Sequence, residues 1–220
     1  MPPFPIRSAA PETAVPPGRL AHDLHADVLL LHTIQTRAAF EELLTTEVLW
    51  PDSALADPFL SEAYGWMGRM MAAQLPTSGD AALWLWAKIR RVDLVADCRR
   101  ARSQVLLTCR IPRERVLLSH FDEWHSVLNS TLAIPKWPGE PEDEFDKRWD
   151  QIYDGFHARL KAAGVVNTPI SQWPAALVEE AEQSWGCIFD STNFGTRDYW
   201  QATVHRLHAA DVIDAVRIID

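Results

Sequence analysis

Two tryptophans set two residues apart, Trp84 and Trp86, are the feature of this chain best placed to do chemistry. Side chains alternate along a strand, so both indoles share one face of a sheet while Leu83 and Leu85 take the other. Such a face can stack on a flat ligand, line a cleft, or simply fill a core. The chain holds ten tryptophans, more than a core of this size needs, which argues that some line a groove. The one basic concentration follows the pair directly: Lys88, Arg90, Arg91, Arg99, Arg100 and Arg102. Guanidinium forks match phosphate oxygens, so beside two indoles this stretch, Arg90 included, is a candidate for the phosphates of a dinucleotide or of RNA. The plain alternative is a solvated charged face.

Other chemistry is mostly excluded. His120 and His125 bracket Asp122 and Glu123, and His205 lies three before His208, but neither set has the spacing of a zinc helix. No metal site is expected. The three cysteines, Cys98, Cys109 and Cys187, form no CxxC pair and no even disulfide framework. They fit reduced thiols of a bacterial-type cytosol, with Cys187 packing as a small hydrophobe. Nine glycines supply neither a dinucleotide fingerprint nor a phosphate loop, and there is no G-x-S-x-G elbow. Met1 to Pro17 lacks the basic start and apolar block of a secretory signal, so a cytoplasmic location is expected.

The elements that must position these groups are constrained by length and charge. A chain of 220 residues suits one domain able to bury its own core. A formal charge of −9 excludes gripping nucleic acid over the whole surface and leaves only a local basic patch for that role. No apolar run approaches the ~20 residues of a membrane span. Residues 1–25 carry six prolines and no periodicity, which predicts a disordered or loosely draped arm before a single domain over 26–220. Apolar runs predict strands at 28–33, 82–87 and 105–111, with Pro112 ending the last and a short return strand at 116–118. A further strand is expected over 200–207, then a polar turn at 208–211 and a terminal segment over 212–219. Helices are expected after an N-cap at Thr36, over 58–75, around Phe121, Trp124 and Leu128, over 142–163 and over 174–185. On the long helix Phe145, Trp149, Ile152, Phe156 and Leu160 form one apolar stripe, and Gly164 supplies the stop. Strands and helices mix without βαβ alternation. The expected fold is therefore α+β, a mostly antiparallel, twisted sheet flanked by helices.

Several segments occur together in an order that resembles a known family. They are Leu31-His32-Thr33-Ile34-Gln35, Glu62 to Met67, Leu83 to Trp86, Ser119-His120-Phe121-Asp122-Glu123-Trp124-His125-Ser126-Val127-Leu128-Asn129, Gln183 to Asp190, and Gln201-Ala202-Thr203. Over roughly 28–219 the chain resembles the bacterial domain of unknown function family 3841. The block S-x-F-D-x-W-H-x-V-L-N is its most specific part. That resemblance carries a fold but no activity.

A weaker likeness points to chemistry. A first strand ending in His-Thr and followed by A-F-E-E-L-L is similar to the opening of ADP-ribosyltransferases. In those enzymes the first strand holds NAD, a second strand places a hydroxyl or aromatic group by the nicotinamide, and a late strand places an acid at the ribose. The likeness implies NAD-binding roles for His32, Thr33, Gln35, Trp84, Trp86 and Arg90, and catalytic roles for His32 and Gln201. Cleaving the nicotinamide–ribose bond builds positive charge on the sugar, which a nearby carboxylate stabilises. Gln201 can hydrogen-bond ribose hydroxyls but carries no charge. Glu179, Glu180, Glu182 or Asp198 would have to supply it. Two other readings stand beside this one. The first is a binding module whose Trp-lined groove takes a flat ligand, nucleotide or peptide without turnover; the second is a structural or regulatory partner protein.

Overall fold

The computed structural model describes residues 4–18, 20, 23–55 and 57–219. In chain order its elements are β1 (Ile6–Ala9), α1 (Pro11–Ala14), β2 (Val28–Gln35), α2 (Arg37–Thr46), β3 (Val48–Leu49), α3 (Ser61–Gln74), β4 (Leu83–Lys88) and α4 (Arg91–Arg100). They continue with β5 (Val105–Pro112), β6 (Leu117–His120), α5 (Phe121–Leu128), α6 (Glu142–Ala162), α7 (Ala175–Trp185), β7 (Trp200–Val204), β8 (Leu207–His208) and β9 (Val212–Ile218). Seven strands form one sheet in the order β1-β9-β5-β2-β4-β7-β6, and β3 pairs with β8 in a small second sheet. Each pairing is antiparallel except β1 with β9. The fold is α+β, as the sequence predicts.

Alternation along the strands divides the core. One face sends Leu29, Leu31, Leu83, Leu85 and Leu107 into a cluster closed by Phe40 and Leu43 of α2. The opposite face is covered in two parts. Leu106 and Val216 meet Ala14 and Val15 at the end of α1 and Leu94 and Cys98 of α4. Leu117 meets a second cluster built by α3, α5 and α7, where Trp66 packs 5.3 Å from Trp185 and 6.5 Å from Trp124. Much of the tryptophan excess is spent here, in the core.

Several expectations are corrected. The arm carries regular structure: β1 adds to the sheet edge, and Phe4, Ala14, Val15, Leu20 and Leu24 are buried. The physical reason lies in where its prolines stand. Pro11 takes the first turn of α1, where no N–H partner is needed, and apolar residues between the prolines supply burial. Residues 1–3, 19, 21 and 22 of the expected arm lie outside the described residues. The strand expected over 200–207 stops at Val204, and Leu207–His208 turns into the second sheet. Residues 91–100 form a helix that their dense charge conceals, with Leu94, Val95 and Cys98 as its buried side.

The basic stretch is largely absorbed by the fold. Lys88, itself buried, donates to the carbonyls of Phe194 (3.1 Å) and Arg197. Arg91 donates to the Pro16 carbonyl at 3.1 Å, Arg99 pairs with Glu12, and Arg100 pairs with Asp97. Arg90 binds Asp93 at 2.7 Å and lies 5.3 Å from the Tyr199 ring centre. Arg90 and the Tyr199 hydroxyl hold the Asp93 carboxyl below its ordinary range. Burial pushes the Cys98 thiol up to about 11 and Cys187 to about 12, so both stay protonated and unreactive near neutral pH.

The loop before α6 is clipped to it by Arg148. Its guanidinium takes both Glu140 oxygens at 2.7 Å, donates to the Pro135 carbonyl at 2.9 Å, and lies 4.0 Å from the centre of the Trp137 ring. Arg148, helped by the Trp137 N–H, lowers the Glu140 carboxyl from 4.5 to about 2. A depressed acid stabilises the fold above its unfolded value and loses that contribution as pH falls through its folded value. The clip should therefore hold at pH 4.5 and open only as pH approaches about 2. The difference in fluorescence between the parent and Trp137→Phe reports it; a transition complete before pH 4.5 contradicts the assignment.

Candidate functional site

The register of the sheet assembles a polar row that no single segment reveals. Thr108 of β5 stands opposite His32 of β2, His32 opposite Trp86 of β4, Trp86 opposite Gln201 of β7, and Gln201 opposite Ser119 of β6. Residues directly opposite share a face, so the five side chains form one line across five strands. The line runs on the face covered in two parts. Trp86 packs with the α4 cluster and Trp84 with the α3–α5–α7 cluster. Register shifts adjoin the row on both sides, between Trp86 and Lys88 and between Thr108 and Cys109. Bulges of this kind re-aim side chains next to sites.

The sheet is weakest at the centre of that row. β2 and β5 share eight registered pairs, whereas β2 and β4 share only His32 with Trp86. Beyond it a side chain takes over: the Thr33 hydroxyl donates to the Trp84 carbonyl at 3.0 Å and accepts from Gln35 Nε2 at 2.8 Å. A cavity of about 280 Å³ occupies this seam. The sheet lines it with His32, Thr33, Trp84, Trp86 and Gln201, and Asp97, Arg100 and Gln104 close it from α4 and the turn after it. A larger cavity of about 1010 Å³ lies beside it and shares Thr33, Ile34 and Trp84 as wall; Gln35, Trp50 and Tyr64 also line it.

His32 is 1% exposed, and its Nδ1 lies 3.2 Å from the Thr108 hydroxyl. Trp86 meets the edge of Phe121 at 5.1 Å, which fixes its ring plane. Gln201 Oε1 and Ser119 Oγ are buried without a hydrogen-bond partner among the described residues. An unpaired buried acceptor costs about 1–3 kcal/mol, so a group that supplies a donor there gains that much in return.

The structure thus brings together six of the residues named from sequence: His32, Thr33, Trp84, Trp86 and Gln201 of the sheet, and Arg100 of the basic stretch. Gln35 falls on the neighbouring cavity, and Arg90 lines neither. Glu179 and Glu182 line a separate groove between α3 and α7, Glu180 pairs with Arg159, and Asp198 lies outside the cavity. The carboxylate in its wall is instead Asp97, paired with Arg100. Arg100 was named only as part of the basic stretch, and Asp97 and Gln104 were missed, because sequence reasoning missed α4. The available signal was Leu94, Val95 and Cys98 at helical spacing, which places Asp97 and Arg100 on a shared flank.

Among the described residues no helix is long and apolar enough to cross a membrane, and no group of three or more His, Cys, Asp or Glu is placed to hold a metal ion. No curated protein and no solved structure matches the chain. The family described as Domain of unknown function (DUF3841) matches residues 30–213. That span runs from β2, which carries His32, to the start of β9, taking in the whole polar row, and the chain belongs to this family.

Proposed function

We propose that the seam between β2 and β4 binds NAD and that the protein is an ADP-ribosyltransferase-like enzyme. One observation carries this reading: His32, Trp86 and Gln201 stand in register on three neighbouring strands around a cavity, with the Gln201 carbonyl buried and lacking a donor. A cavity of about 280 Å³ suits the nicotinamide–ribose end, and the adjoining about 1010 Å³ has room for the rest of a dinucleotide. NAD supplies the ADP-ribosyl group: its ribose–nicotinamide bond breaks with the electron pair leaving on nicotinamide, while an acceptor bonds the ribose carbon and sheds its proton to water.

The chain's own groups act around that exchange. Trp86 offers a ring face, braced by Phe121, against which the nicotinamide lies. Gln201 accepts a hydrogen bond from a ribose hydroxyl and orients the sugar. His32, held through Thr108, fixes the neighbouring wall. Asp97 is the carboxylate within the cavity wall and the group able to oppose positive charge on the ribose. Isothermal titration with NAD, together with a nicotinamide-release assay, tests the reading. Saturable binding, weakened about tenfold or more in Trp86→Ala and Gln201→Ala, and slow release are expected. Absence of both binding and release overturns it.

A specific observation favours a second reading, a binding module without turnover. Gln201 is neutral and Asp97 is already engaged by Arg100, so the cavity holds no unpaired negative charge. In that case NAD binds, depends on Trp86, and releases no nicotinamide.

A further inference from the structure

The larger cavity beside the seam has walls of its own character. Trp50 after β3, Tyr64 of α3 and Trp84 of β4 line it, and so do three carboxylates, Glu42 of α2, Asp52 and Asp80. The carboxylates come from three separate stretches of chain and meet around one hollow only in the fold. None of them has an ion-pair partner among the described residues; Asp52 accepts the Ala54 N–H at 2.9 Å. Among the described residues the only cation in the lining is Arg69, and it is spent on Glu182 at 2.5 Å. The wall is therefore negative.

Helix α3 makes the room. Ser61, Gly65, Gly68 and Ala72 follow helical spacing along one face, and all four line the cavity. A Cβ on Gly65 or Gly68 would meet nothing within 4 Å, and neither residue has a positive φ, so packing and backbone geometry require neither glycine. Glycine inside a helix costs stability relative to alanine; what these two provide is space. A volume of about 1010 Å³ stands at the upper end of small-ligand sites, about 300–1,000 Å³, so a second group fits even beside part of a dinucleotide. Aromatic rings attract a cation through their quadrupole, and unpaired carboxylates attract it through charge. Arg206, which is outside the lining, already lies 5.1 Å from the centre of the Trp50 ring. We propose that this cavity binds an organic cation, an ammonium carried on a flat apolar body. The body lies along the glycine face of α3 among Trp50, Tyr64 and Trp84, and the charge is held by Glu42, Asp52 and Asp80. The site stands apart from the NAD reading, because it takes the cation alone.

Three probes with one ring system test the proposal on the full chain without NAD: naphthylethylammonium, naphthylethanol and naphthylacetate. Titration calorimetry is expected to show saturable binding of the ammonium, binding of the alcohol about tenfold weaker, and none of the carboxylate. Glu42→Gln with Asp52→Asn and Asp80→Asn should bring the ammonium down to the alcohol and leave the alcohol unchanged. All three side chains are exposed, so circular dichroism should stay at the parent value. Gly68→Leu should melt at or above the parent, since the new side chain enters open space, and should weaken binding of the ammonium and the alcohol at least about tenfold. Glu179→Gln, in the separate groove between α3 and α7, should change nothing. The proposal falls if the three probes bind alike, if none binds, or if the triple variant keeps the preference for the ammonium. It falls equally if Gly68→Leu melts at or above the parent and binds as the parent does, or if Glu179→Gln abolishes binding. Should Gly68→Leu melt lower, the triple variant decides alone.

Discussion

Arg115→Ala should lower stability by about 3 kcal/mol, a shift of roughly 6–12 °C in Tm for a chain of this size. Arg115 sits in the turn between β5 and β6, and Asp211 sits between β8 and β9. Their side chains meet in a two-pronged pair at 2.9 and 2.8 Å, with side-chain exposures of 20% and 10%. Asp211 also accepts the backbone N–H of His208 at 3.1 Å, so the pair ties two turns and the small β3–β8 sheet to the main one. Truncating Arg115 leaves a mostly buried carboxylate with one backbone donor. The loss then reflects the stranded charge more than the net worth of the pair. Arg115→Lys keeps the charge but not the fork, so it should fall between the parent and the alanine variant. Removing both partners should cost less than the sum of the single changes. Urea melts of the four proteins read this out. An alanine variant within about 0.5 kcal/mol of the parent would mean the pair behaves as an exposed one.

That pair also shows where sequence reading stops. Residues 112–115 and 208–211 both carry turn signals and both look solvated; nothing local says that they meet. Strands β2, β4 and β5 and helix α6 were legible because each rests on a side-chain period set by its own residues. The sharing of one face by Trp84 and Trp86 was legible for the same reason. Helix α4 was not, since Arg91, Asp93, Asp97, Arg99 and Arg100 drown its short apolar side. Proline density hides the order of the arm, because a proline such as Pro11 in the first turn of α1 needs no N–H partner. For the site, the sheet half was within reach and the helix half was not. His32, Trp86 and Gln201 could be named singly. Their adjacency is a matter of register between strands far apart in sequence, and register depends on the whole packed sheet.

Gln201→Glu should raise nicotinamide release about 10²-fold over the parent, if the polar row is where positive charge develops. The substitution is nearly isosteric; it adds a negative charge, and exchanges the amide NH2 for an oxygen, at a position flanked by Trp86 and Ser119 in register. Beside a buried wall a carboxylate acts on a developing cation more strongly than in bulk water. Burial raises the pKa of a new carboxyl there, so the gain should grow as pH rises through that value; Arg100, in the same wall, limits the increase. Asp97→Asn should act in the opposite sense, reducing whatever release the parent shows while sparing NAD affinity more than Trp86→Ala does. The comparison separates binding from chemistry. A Gln201→Glu protein that melts near the parent and binds NAD as tightly, yet releases nicotinamide no faster at any pH, would place the scissile bond away from the row. It would also leave Gln201 as a specificity contact, a donor-seeking carbonyl that orients a ligand without acting on it.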